Sequence, residues 1–216
     1  MLVRDQMSAA PITARAETAV ADALRLMRER RIRRLPIVDR RGRLVGIVTD
    51  RDLLYASPSP ATSLSIWELN YLLGKLTLDK VMTREVITVE EDTPIEEAAR
   101  IMADHKIGGL PVMKGGSLAG VITETDVFRA FLELLGARRH GVRITATTPG
   151  AKGTVARLAD AVFKVGGNII GLGFSERKAG KGSSWDVMLK VQDVGPNKLV
   201  AAVKPLVTEI LDVRDT

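Results

Sequence analysis

The chain writes one strand-to-helix corner twice. Leu44–Leu54 reads LVGIVTDRDLL and Leu118–Phe128 reads LAGVITETDVF, so Gly-x-x-Thr-x-x-Asp follows an apolar run in both places. The repetition extends well beyond the corners. Met7, Thr13, Met27 and Pro36 recur 75 positions later as Met82, Thr88, Met102 and Pro111. Gly46, Thr49 and Asp52 recur 74 positions later as Gly120, Thr123 and Asp126. The one-residue slip falls between Val38 and Leu44, where DRRGR becomes KGGS, and both read as hairpin turns. Repeats of about 50 residues are marginal alone. The two copies are therefore expected to pack on each other.

Each copy predicts the order β-α-β-β-α. PITA and VITV read as brief strands. Thr18, and Thr93 with Pro94 at the first helical position, are read as caps of the helices that follow. Val20, Ala23, Leu24 and Met27 fall on one helical face, as do Ile95, Ala98, Ala99 and Met102. Two strands come next, LPIVD with LVGIV and GLPVM with LAGVI, and a closing helix ends each copy. Between the copies, Pro58 and Pro60 break structure. Ser65 and Glu68 form a capping box opening IWELNYLLGKL, a helix expected to cover the pair.

The corner has two readings from its residues. Thr-x-x-Asp is a capping box in which side chain and backbone satisfy each other. The same geometry also suits a ligand. A helix N-terminus presents unpaired N–H groups to phosphate, and a carboxylate in the first turn can accept both hydroxyls of a ribose. Asp is shorter than Glu, so it is expected to close the box less well and to be freer to face a ligand. The glycine lets other backbone approach closely.

Each copy resembles a cystathionine-β-synthase (CBS) domain, and the pair resembles a Bateman module, over residues 1–54 and 78–128. The resemblance implies adenosine-containing ligands in the clefts, with Asp52 and Asp126 on ribose and Thr49 and Thr123 near ribose or phosphate. It implies base pockets lined by Ile12 and Thr13, by Ile87 and Thr88, and by the strands opening at Pro36 and Pro111. Arg33 and Arg34 precede Leu35 and Pro36 at the mouth of such a cleft, whereas their counterparts are Gly108 and Gly109. The first corner is therefore expected to hold a phosphate-bearing nucleotide. The ligand stays open among AMP, ADP, ATP and S-adenosylmethionine, and no cofactor is required.

From His140 the pattern changes to β-α-β-β-α-β, the ferredoxin-like order. Val155, Leu158, Ala159 and Val162 form its first helical stripe, and Pro196 opens its second helix. Gly153-x-Val155 and GGNI at Gly166–Ile169 resemble an ACT domain. Many ACT domains carry Asp where this chain has Gly150. Dimerisation through this domain is therefore the firmer expectation than amino-acid binding, for which Asn168 and Ile169 are the candidate effector residues. The whole reads as an α/β (α+β) chain. Its parts are a first repeat at 1–54, a linker at 55–77, a second repeat at 78–135 and an ACT-like domain at 140–216. That architecture resembles the bacterial acetoin-utilisation regulatory proteins.

Composition narrows function. The chain has 216 residues, no cysteine, net charge +6 and 4% aromatic residues. That excludes disulfides and thiolate chemistry. His105 and His140 have no paired nucleophile or metal-ligand spacing, so no enzyme is expected. No apolar run reaches membrane-spanning length, which suggests a soluble cytoplasmic protein. Net charge is +5 over residues 1–54, −5 over 78–128 and +6 over 129–216. Opposite charge on the two repeats favours a homodimer. A nucleic-acid-binding regulator, resting on the basic turn near Lys178 and Lys181, is the alternative, as is a scaffold without ligand. The leading expectation is a regulatory sensor acting on another protein.

Overall fold

The computed structural model describes residues 1–56, 76–177 and 184–216, in two compact units, Met1–Val127 and Phe128–Thr216. The capping box at Ser65, the helix after it, and the turn at Lys178 and Lys181 lie outside the described residues.

The first copy comprises α1 (Val3–Gln6), β1 (Ser8–Ala9), α2 (Val20–Arg30), β2 (Arg34–Val38), β3 (Leu44–Thr49) and α3 (Asp50–Ala56). The second begins with a 3-10 turn at Leu78–Lys80. It continues through β4 (Val89–Glu90), α4 (Ile95–His105), β5 (Gly109–Lys114), β6 (Ser117–Thr123) and α5 (Glu124–Leu134). Both hairpins form where the slip in the repeat was placed. Asp39 Oδ1 accepts from Arg41 and Arg43 N–H in the first, at 2.9 Å each. Gly115 and Gly116 take positive φ in the second, at 54° and 81°, as a two-residue hairpin requires.

The copies exchange their leading segments. Val3 N–H donates to Thr93 O at 2.9 Å and Arg4 N–H to Glu91 O at 2.9 Å. At the repeat-equivalent positions, Leu78 N–H donates to Thr18 O and Asp79 N–H to Ala16 O, again at 2.9 Å. β1 pairs antiparallel with β6 of the other copy, and Thr83 bridges Ile47 of β3 in the same sense. Val3 and Leu78, the apolar plugs of the two exchanged segments, are fully buried. The repeated methionines and glycines belong to this exchange. A Cβ on Gly120 would lie 2.6 Å from Met7 Sδ, and one on Gly46 would lie 2.6 Å from Met82 Sδ. Only a bare backbone lets each thioether seat.

The exchange moves the helix starts. Thr18 and Thr93 do not cap α2 and α4; the N-cap residues are Ala19 and Pro94. Thr18 Oγ1 instead accepts from Arg15 N–H at 3.2 Å, and Ala19 is held extended by a bridge to Thr77. PITA shrinks to a single parallel bridge, Ala14 to Ile37, while VITV keeps β4. Both helices end in a left-handed residue, Arg31 at φ 54° and Lys106 at φ 55°. The predicted helical faces are buried at Val20, Ala23 and Met27 and at Ile95, Ala98 and Met102.

In the second unit, β7 (Val142–Thr148), α6 (Thr154–Lys164), β8 (Asn168–Arg177), β9 (Ser184–Gln192), α7 (Pro196–Val203) and β10 (Glu209–Asp215) form the expected ferredoxin-like series. The antiparallel sheet runs β10-β7-β9-β8. Ile144, Leu158, Val162, Leu189, Val191 and Leu199 centre its core. Val155 departs from the predicted stripe and is exposed, because Thr154 faces inward and bonds Ala151 O at 2.6 Å. The buried line is thus Thr154, Leu158 and Val162.

Gly120→Ala drives a methyl group to within 2.9 Å of Ser8 O as well as into Met7. Overpacking of this kind costs about 1–3 kcal/mol. The urea midpoint of the variant should fall accordingly, while Gly116→Asn, which tolerates positive φ at an open turn, should leave it nearly unchanged.

Candidate functional site

Each corner is built by a strand that runs directly into a helix. At the first, Thr49 N–H and Oγ1–H both donate to Asp52 Oδ2 at 2.8 Å, and Asp52 N–H donates to Thr49 Oγ1 at 3.2 Å. At the second, Thr123 N–H and Oγ1–H donate to Asp126 Oδ2 at 2.9 and 2.7 Å. The first box is reciprocal, and in the second both Thr123 donors close on the Asp126 carboxylate. The Asp carboxylate is engaged by Thr in both copies, contrary to the expectation that its short side chain leaves it free to face a ligand. The strand delivers Thr extended, so backbone and hydroxyl converge on one carboxylate oxygen within reach of the shorter side chain. Oδ1 of Asp52 takes no hydrogen bond from the described residues. Asp126 is 5% exposed, whereas Asp52 is half-buried.

The surrounding sites assemble by sheet register. Arg34 lies opposite Thr49 and Pro36 opposite Ile47, while Gly109 lies opposite Thr123 and Pro111 opposite Val121. Ala14 N–H donates to Pro36 O at 3.1 Å, which brings Ile12 and Thr13 alongside β2. Val89 pairs with Val112 in parallel, which places Thr88 beside Pro111. Ile12, Thr13 and Thr88 are half-buried, Pro36 and Pro111 are buried, and Ile87 is exposed.

Arg33 and Arg34 diverge. Consecutive residues entering a strand point to opposite sides. Arg34 crosses to the second copy, where a side chain on Gly108 would run into its guanidinium and one on Gly109 would lie 3.0 Å from its Cδ. Glu124 Oε2, from the first turn of α5, lies 2.8 Å from the same Cβ position at Gly108. Burial, then Arg33, lowers the Arg34 pKa, while Glu124 and Asp50 oppose that shift. The two glycines are thus the space that Arg34 occupies. Arg33 instead lines a cavity with Leu24, Met27 and Asp50. Glu124 and Asp50 were not legible as parts of this arrangement. The Gly108-Gly109 pair was the signal, since it marks where a side chain from elsewhere comes in.

In the second unit Asn168 is exposed and Ile169 packs against the core. Asn168 pairs with Gln192, while Thr148, just before the Gly150 turn, pairs with Trp185 at the other end of β9. Asn168 and the Gly150 turn are thus not brought together within one chain. Gly150 has φ 65°, and a side chain there would strike Trp185, which stacks on Phe174 at 4.9 Å.

The CBS-domain profile matches residues 3–59 and 78–133. The chain belongs to the CBS-domain family. It is 37% identical over 139 residues to a CBS domain-containing protein of Dictyostelium discoideum, covering 62% of this chain and 94% of that one. It is 38% identical over 128 residues to inosine-5'-monophosphate dehydrogenase of Korarchaeum cryptofilum, but that stretch is only 22% of the enzyme. Among solved structures, the CBS pair of protein MJ0100 in complex with 5-methylthioadenosine and S-adenosyl-L-methionine is 33% identical. It covers 64% of this chain and 98% of that one, with a TM-score of 0.52. CBSX2 in complex with AMP is 32% identical, covers 64% and 98%, and has a TM-score of 0.51. A Vibrio cholerae protein assigned to acetoin utilization (AcuB) is 35% identical, covers 64% and 95%, and has a TM-score of 0.53. No helix among the described residues of this CBS protein is long and apolar enough to cross a membrane.

Because Thr engages Asp in both corners, Asp52→Ala should cost about 1 kcal/mol of stability in the absence of ligand. Asp126→Ala should cost about 1–3 kcal/mol, since it strands the Thr123 donors in a buried place. Urea unfolding of the two variants measures the difference.

Proposed function

We propose that this CBS protein is a non-catalytic regulatory sensor that binds adenine nucleotide in the clefts of its repeats. The observation that carries the reading is the pair of Thr/Asp corners joined by Arg34, which lies against Gly108 and Gly109 in the electrostatic reach of Glu124. Complexes of similar CBS pairs with AMP, and with 5-methylthioadenosine and S-adenosyl-L-methionine, support the ligand class. Asp52 and Asp126 would receive ribose hydroxyls, and binding would exchange part of the capping box for those bonds. The base would lie against Ile12, Thr13 and Pro36 in one cleft and against Ile87, Thr88 and Pro111 in the other. Arg34 moves the phosphate-bearing site from the first corner, where the sequence placed it, to the second. There its guanidinium would meet the phosphate. The first corner then suits a less charged adenosine compound.

The second unit is read as an ACT-like dimerisation domain, with Trp185 filling the space over Gly150 where an effector-binding carboxylate would stand. Asn168 and Ile169 remain its candidate effector contacts. Likeness to the Vibrio cholerae protein supports an acetoin-utilisation-like setting. A separate regulated protein and a cytoplasmic location complete this reading.

Calorimetric titration with AMP, ADP, ATP and S-adenosylmethionine tests the reading. AMP affinity should fall at least tenfold in Arg34→Ala and Asp126→Ala and change little in Asp52→Ala. Each charge-assisted contact contributes roughly 1.5–3 kcal/mol. Unchanged AMP binding in Arg34→Ala would remove the phosphate assignment, and absence of binding by all four ligands would remove the sensor reading. Light scattering should give twice the chain mass, and a monomer at micromolar concentration would exclude the dimer.

A further inference from the structure

We infer that the first repeat carries a second, separate site for a small phosphate monoester, between α2 and α3. A cavity of about 290 Å³ lies there. That is close to the lower end of small-molecule pockets, about 300 Å³. Its floor is apolar, made by Leu24, Met27, Ile32 and Leu54. Arg28, Arg31 and Arg33 stand around it with a single carboxylate, Asp50. Arg33 and Asp50 adjoin the first corner, but neither Thr49 nor Asp52 lines the cavity, which places it beside the nucleotide cleft and not in it.

The three guanidinium groups are uncommitted. No side-chain hydrogen bond or ion pair joins Arg28, Arg31 or Arg33 to any described residue. Three arginines of this unit are paired, Arg25 with Asp22 at 2.8 Å, Arg43 with Asp39 at 2.7 Å and Arg100 with Asp104 at 2.7 Å, so the three around the cavity are set apart by their shared apolar floor and not by lacking a partner alone. A larger cavity beside the first hairpin differs in carrying two acidic residues, Glu17 and Asp39, in its lining. There Arg43 is paired with Asp39, and Arg15 donates to Val38 O at 3.2 Å.

The backbone holds the arginines in place. Asp50 N–H donates to Arg33 O at 3.0 Å, which ties the strand entry to the first turn of α3. Arg31 sits at φ 54°, a left-handed position that usually falls to glycine. Arg31 and Ile32 N–H take the Arg28 and Met27 carbonyls, which fixes the turn that closes α2. The second repeat lacks the set. Its counterparts of Arg28, Arg31, Arg33 and Asp50 are Ala103, Lys106, Gly108 and Glu124.

Three guanidinium groups against one carboxylate leave two positive charges in excess. A phosphate monoester is close to a dianion near neutral pH, and the planar fork of arginine matches its oxygens. The apolar floor calls for a compact ring or alkyl group on the phosphate.

The test is calorimetry on the full chain with phenyl phosphate, with inorganic phosphate as the second probe. Phenyl phosphate should bind at one site per chain and at least tenfold more tightly than inorganic phosphate. Arg28→Gln and Arg31→Gly should each weaken it at least tenfold. Glycine suits the left-handed position, so Arg31→Gly should fold and should bind AMP as the unmodified chain does, which separates this site from the nucleotide cleft. Lys106→Gly, the equivalent change in the second repeat, should leave phenyl phosphate binding unchanged. Three results would overturn the proposal: no saturable binding, equal affinity for the two probes, or binding that is lost in Asp52→Ala or Asp126→Ala but kept in Arg31→Gly.

Discussion

The first unit depends on the reciprocal exchange of its leading segments. Val3 donates to Thr93 in one direction and Leu78 donates to Thr18 in the other, both at 2.9 Å. A copy of about 50 residues buries too little surface to stand alone. Here each copy completes the other's sheet and plugs the other's helix start. The buried side chains of Val3 and Leu78, and the thioethers seated on Gly120 and Gly46, make the exchange specific. A glycine in a strand usually weakens it. At these two positions it admits the partner segment, and the pairing it permits offsets the loss.

The same exchange brings the two corners into one neighbourhood. Thr49 with Asp52, and Thr123 with Asp126, serve as caps without a ligand. Under the proposed function, cap and ligand contact would draw on the same atoms. A ribose hydroxyl would then displace a protein hydrogen bond without leaving the carboxylate unpaired, and ligand binding would have a direct route to the helix that follows each corner. Arg34 breaks the symmetry, since its charge is encoded in the first copy and delivered to the second.

Charge asymmetry between the copies takes a different meaning in three dimensions. The basic run around Arg28–Arg34 does not form one surface. Arg34 goes to the second corner, whereas Arg28, Arg31 and Arg33 gather around an apolar hollow of the first copy. Strand alternation divides neighbours that look equivalent in the sequence.

Much of this was legible in the sequence by itself. The repeat, its one-residue slip in a hairpin, the apolar faces of α2 and α4, and the ferredoxin-like order of the last third all follow from local periodicity and turn chemistry. Such signals act between near neighbours, so a linear reading captures them. The corner residues Thr49, Asp52, Thr123 and Asp126 were legible for the same reason, since their bonds span three positions. Only the tertiary structure decided what depends on distant partners. It set the helix starts one residue later than Thr18 and Thr93 suggest, because bridges hold Ala19 to Thr77 and Pro94 to Leu2. It sent Arg34 into the room left by Gly108 and Gly109, a contact between residues more than 70 positions apart that no local pattern encodes.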